Sequence, residues 1–183
     1  VVSHSTVAAP AGNVADRAAV AWAALSTVMD PEVPVVSLVE LGIAREARLA
    51  EDGAVEVLLT PTYSGCPATE LIEQQARAAV EAAVSGPVRV LTQRAPAWTT
   101  DWISAEGRRK LREYGIAPPG PVELPTAGMG EAVIRFMPRA VTVTCPRCDS
   151  PDTERLSVFG STACKALYRC RACREPFEHF KPI

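Results

Sequence analysis

At 183 residues the chain is long enough to bury one hydrophobic core and carry a small appended module. Hydrophobic residues make up 48% of it, yet no run of about 18 apolar residues occurs, which excludes a membrane-spanning helix. The net charge of −2 divides unevenly: residues 1–138 carry 11 Lys/Arg against 16 Asp/Glu, and residues 139–183 carry 8 against 5. An acidic module followed by a weakly basic one argues against nucleic acid as the partner.

Residues 1–13 are small and polar and lack the basic and apolar regions of a secretory leader, so they read as a flexible tail on a cytoplasmic protein. Val14 to Met29 places Val14, Ala18, Ala21, Trp22 and Leu25 at helical spacing after a capping Asn13. Pro31 and Pro34 end that helix. Gly42 to Leu49 and Ala54 to Thr60 read as two strands joined by Glu51-Asp52-Gly53, a hairpin sequence. Pro61 to Pro67 is a loop, and Pro67 suits the first turn of a helix running to about Val84 with Leu71, Ile72, Gln75, Ala79 and Ala83 on one side. Val88 to Thr92 is a third strand. This order predicts an α+β fold, a small α-β-β-α-β sandwich over residues 14–95 with helices on one face of the sheet.

A helical extension over 96–115 follows, with Trp98, Trp102 and a charged helix from Ser104 to Tyr114 in which Glu106 and Lys110 pair. Residues 116–130 hold four prolines and three glycines and read as a linker. Glu131 to Thr144 is expected as a strand leading into a β-rich module over 131–183.

That last module carries the strongest chemical signal. Cys145 and Cys148, then Cys170 and Cys173, form two C-x-x-C pairs in a chain with six cysteines. Four thiolates at this spacing suit a tetrahedral ion in a zinc ribbon. Thiolates also suit iron–sulfur clusters, and the spacing leaves both open. In either case a closed Cys₄ site has no open position for catalysis. Cys164 and His179 fall outside the pattern: a strand would hold Cys164 about 20 Å from Cys170 at ~3.3 Å per residue, so it reads as a small buried residue, and His179 as a packing or surface residue.

A second group lies in the first domain. Cys66 precedes Pro67, and if Pro67 opens the helix, Cys66 is its N-cap, where the helix dipole favours a thiolate. It is then either a reactive, metal-handling thiol or an inert buried cysteine. Asp30 and Glu32 sit on a proline-stiffened loop and read as held carboxylates or as caps.

Asp30-Pro31-Glu32-Val33-Pro34, then Val39-Glu40-Leu41-Gly42-Ile43, then Leu59-Thr60 with Cys66-Pro67, resemble the SufT-like family of iron–sulfur cluster assembly proteins over about Val14 to Arg94. With Trp98-Thr99-Thr100-Asp101-Trp102-Ile103, Tyr114-Gly115-Ile116-Ala117-Pro118-Pro119 and the run Phe159-Gly160-Ser161-Thr162-Ala163-Cys164-Lys165-Ala166-Leu167-Tyr168-Arg169-Cys170, nearly the whole chain resembles the D-subunit family of bacterial phenylacetyl-CoA epoxidases. The resemblance implies an accessory or maturation subunit in aerobic phenylacetate breakdown, itself non-catalytic. It implies the diiron oxygenase and reductase subunits as partners, and allows a homodimer. It implies a working surface of Asp30, Glu32, Thr62 and Cys66 for transient iron or an iron–sulfur cluster. It also implies structural Zn²⁺ on Cys145, Cys148, Cys170 and Cys173. The sequence agrees with that division of labour: two histidines and no Glu-x-x-His pair leave nothing to build a bundle-type diiron site. A structural subunit bridging the monooxygenase, or a nucleic-acid-binding ribbon protein, are the alternatives.

Overall fold

The computed structural model describes residues 14–63, 65–120 and 142–183. The expected tail, most of the 116–130 linker and most of the strand expected over 131–144 lie outside these residues.

The first domain runs α1 (Val14–Leu25), β1 (Ala44–Leu49), β2 (Val55–Leu59), α2 (Thr69–Ala83) and β3 (Val88–Thr92). This is the expected α-β-β-α-β order. β1 and β2 form the antiparallel hairpin, closed through Gly53 at φ +81°, and β3 returns parallel to β2 after the α2 crossover. Val55, Val57 and Leu59 are buried on alternate positions of the central strand, and α1 and α2 pack beside one another against the sheet.

Three details differ from expectation. α1 stops at Leu25 rather than Met29, because residues 28–38 fold back on themselves: Leu38 N–H donates to the Val28 carbonyl and Asp30 N–H to that of Val36, both at 2.9 Å. The buried stripe of α2 is Ile72, Ala76 and Val80, while Leu71 faces solvent. Lys110 pairs not with Glu106 but with Glu40 of the first domain, at 2.6 Å.

That last pair belongs to a larger docking. α3 (Ala105–Tyr114) is capped by Ser104, whose hydroxyl accepts from Gly107 N–H, and ends on Gly115 at φ +97°. It approaches so closely that a Cβ on Gly107 would sit 2.8 Å from the Glu40 carbonyl oxygen. The buried Trp98 indole donates to the Leu41 carbonyl at 3.0 Å.

The second sheet has the order β4-β7-β6-β5, with β4 (Ile116–Ala117), β5 (Thr153–Ser157), β6 (Lys165–Cys170) and β7 (Pro176–Phe180). Ile116 and Ala117, expected to open the linker, form instead a short strand parallel to β7, pairing with Glu178 and His179. The ribbon sheet thus takes its fourth strand from the two residues that follow α3 and Gly115. Its buried residues divide between two clusters. Ala166, Tyr168, Cys170, Phe177 and Cys145 form a small cluster beneath the cysteines, with Tyr168 stacked on Phe177 at 5.8 Å. Cys164, Phe180 and Ile116 belong to the large core of the first domain, where Phe180 meets Trp98 with ring centroids 6.0 Å apart. One hydrophobic core therefore spans the sheet of the first domain and one side of the ribbon.

Candidate functional site

Each cysteine pair sits on a knuckle. After Cys145-x-x-Cys148 the chain turns at Asp149, and after Cys170-x-x-Cys173 it turns at Arg174. Both turn residues lie in the left-handed region, at φ +61° and +67°. The knuckle thus forms with aspartate where glycine is the easier residue, and Arg112 of α3 forms an ion pair with that aspartate. Cys173 N–H donates to Cys170 Sγ at 3.4 Å. The four sulfurs all lie within 4.8 Å of one another, with Cys145 to Cys173 at 3.8 Å and Cys148 to Cys170 at 3.6 Å. Around an ion with bonds of about 2.3 Å, tetrahedral sulfurs stand about 3.8 Å apart. The donor set and its spacing therefore fit a tetrathiolate-bound metal.

The second group gathers at the junction of the two sheets. Asp30, Glu32, Thr62 and Cys66, dispersed in the first domain's sequence, line one narrow pocket with Leu41, Ile43 and Ile72. Cys164 and Phe180 of the ribbon complete its wall. Cys164, expected only as a small buried residue, is buried at this wall. Its only sequence signal is its place in the matched run before Cys170. Among the described residues, only the ribbon cysteines form a cluster of ligand atoms as tight as theirs, so the pocket groups stand looser.

Local chemistry fixes each group. Asp30 Oδ1 accepts the N–H groups of Glu32 (2.9 Å) and Val33 (2.8 Å), an Asx-type turn that holds the Pro31 loop. Cys66 is not the N-cap. Ala68 occupies that position, and α2 starts at Thr69, because the Cys66 carbonyl is engaged by the Thr69 hydroxyl at 2.8 Å and its N–H in a turn one step earlier. Its thiol is accordingly not activated: burial pushes its pKa up, against an N–H from Ala68, and the charge of Glu32 adds to the rise. Burial likewise raises Glu32 and Cys164. His179, expected as packing or surface, is buried edge-on to Tyr168, and burial holds its pKa down to about 4.

Burial also raises the Asp30 carboxyl above its ordinary value of 3.8, against the two N–H groups it accepts. The native state then holds this proton more tightly than the unfolded chain, so the carboxyl's contribution to stability falls as pH rises through the window above 3.8. Asp30→Asn keeps an oxygen for both N–H groups and should raise stability at pH 7 by about 1 kcal/mol. The gain should shrink as the pH is lowered toward 4. A denaturant midpoint below wild type at pH 7 would contradict burial as the governing effect.

Together the fold and the two groups define an iron–sulfur-assembly-type domain joined to a four-cysteine zinc ribbon. The model for iron–sulfur cluster assembly proteins matches residues 18–92, and that for the PaaD zinc beta ribbon domain matches residues 135–181. The chain is 48% identical over 162 residues to an Escherichia coli (strain K12) protein named as the D component of 1,2-phenylacetyl-CoA epoxidase, a match covering 88% of this chain and 91% of that one. It belongs to that D-subunit family. It is also 36% identical over 89 residues to an Fe–S protein maturation auxiliary factor of Porphyromonas gingivalis (strain ATCC BAA-308 / W83), covering 48% of this chain and 83% of that one. A crystal structure of a DUF59 domain from Bacillus anthracis is 23% identical, covers 53% of this chain and 92% of that one, and has a TM-score of 0.49. Among the described residues no helix is long and apolar enough to cross a membrane.

Proposed function

We propose that this chain is an accessory subunit of a phenylacetyl-CoA epoxidase that takes up iron, alone or within an iron–sulfur cluster, at the pocket of Asp30, Glu32, Thr62 and Cys66, and passes it to another subunit. The observation that carries the reading is the meeting of those four residues in one pocket beside a separate tetrathiolate site. The names of the two relatives, an epoxidase subunit and a maturation factor, favour the same combination. The ribbon's metal is zinc in this reading, held by Cys145, Cys148, Cys170 and Cys173, and it cross-links the two knuckles. A thiol and carboxylates that stand looser than a closed site suit transfer, because an ion held by few ligands exchanges readily.

Cys66→Ala tests the reading. The side chain is only partly buried, so stability should change by about 1 kcal/mol or less, with full zinc content. Iron loading and ring-epoxidising turnover of the oxygenase produced with this variant should both fall. Full loading and full turnover would move the chain to the bridging role, in which it holds epoxidase subunits together without handling metal.

A further inference from the structure

The ribbon brings its own thiol to the pocket. Cys164 is 5% exposed and held from two directions. Its carbonyl accepts Lys181 N–H at 2.9 Å, and its sulfur lies 3.0 Å from the Thr162 hydroxyl. It therefore stands at the head of β6 against the end of β7, on the side that meets the first domain. Tyr63 is influenced by the charges of Cys66, Glu32 and Cys164 together, so these groups from both domains share one electrostatic neighbourhood.

A second observation points to a ligand. Asp30 is 6% exposed, and both hydrogen bonds to its carboxylate fall on Oδ1. Oδ2 has no hydrogen-bond partner among the described residues, on a side chain that lines the pocket. Among the described residues the enclosed polar atoms without a partner are on Arg17, so Oδ2 is open to the pocket, where it is free to accept from water or to coordinate a cation. The nearest buried cation, Lys165, is 2% exposed and is paired with Glu178 at 2.9 Å. Its charge still favours the ionised forms of Asp30, Glu32 and Cys164.

We propose that Cys164 is the second sulfur ligand of the pocket, so that a thiophilic divalent cation such as iron(II) is held across the domain junction by Cys66 and Cys164, with Asp30 and Glu32 as carboxylate ligands. This rests on the reading of the pocket given above and extends it to a ligand from the ribbon. Two sulfurs with two oxygens suit iron, cobalt or zinc and disfavour magnesium and calcium, which take oxygen alone. Each thiol releases its proton to solvent as the ion binds, so affinity rises with pH. The ion draws the four groups together from their looser arrangement, and its departure lets them part.

The test uses the full chain with its ribbon zinc in place and cobalt(II) added without oxygen as the probe. Wild type should bind one cobalt beyond the zinc, with a sulfur-to-cobalt charge-transfer band. Cys164→Ser and Cys66→Ser should each lower that band by about half per bound cobalt and weaken binding roughly tenfold or more. The double variant should lose it. If Cys66→Ser lowers the band and Cys164→Ser leaves it unchanged, the proposal fails while the pocket reading stands. If wild type binds no second cobalt, both fail. A measurement that needs no variant accompanies it. Phenylarsine oxide condenses with two neighbouring thiols and releases one water, and in the zinc-loaded wild type it should join the Cys66 and Cys164 peptides. Absence of that adduct would overturn the proposal even if the serine variants fail to fold.

Discussion

Cys148→Ser should strip the metal from the ribbon and lower the stability of the whole chain. Structural zinc contributes roughly 10–16 kcal/mol of apparent binding energy to small zinc-finger peptides, and the cluster beneath the cysteines is small enough to depend on it. A ribbon tethered only by a linker would melt alone. Here β4 pairs with β7, and Phe180, Cys164 and Ile116 are part of the first domain's core. Loss of the metal should therefore loosen the packing around Trp98 as well. Zinc content should fall to background, and the thermal transition followed by tryptophan fluorescence should move down by many degrees. An unchanged transition in a zinc-free variant would show that the two parts are energetically independent.

Phe180→Ala should have the next largest effect. The ring is 2% exposed and lies between the Trp98 indole and the pocket. Removing a fully buried phenylalanine side chain costs about 3–5 kcal/mol, through lost transfer energy and the cavity left behind. The same change removes part of the wall beside Cys66. Denaturant unfolding should report the stability loss, and alkylation of Cys66 by iodoacetamide should speed up. A loss under about 1 kcal/mol with an unchanged alkylation rate would place Phe180 outside the load of the core.

The features legible in the sequence were those written locally. The two C-x-x-C pairs carry their geometry in their spacing. The Glu51-Asp52-Gly53 turn and the alternation of Val55, Val57 and Leu59 carry the hairpin. Asp30, Glu32 and Cys66 stand out by their own loop and cap chemistry with alternatives left open, Thr62 and the grouping follow from the resemblance, and the structure brings all four to one pocket. Features set by distant partners were not legible. Ile116 and Ala117 are too short to show a strand's alternation, and the prolines after them read as linker. Lys110 has a credible partner four residues away and takes another from the first domain. The place of Cys164 depends on how the ribbon docks, which no local pattern encodes. The N-cap shifted from Cys66 to Ala68 because a turn at the Cys66 carbonyl preceded the helix.

The shared core also has a meaning in time. A chain leaves the ribosome from its N-terminus, and domains fold largely in that order. Asp30, Glu32 and Cys66 are in place once α2 has formed, while Cys164 and Phe180 arrive only with the final strands. During that interval the pocket lined by Leu41, Ile43, Ile72 and Cys66 lacks the wall that Cys164 and Phe180 supply. Only a polypeptide translated through Phe180 can complete the wall of the pocket beside Cys66.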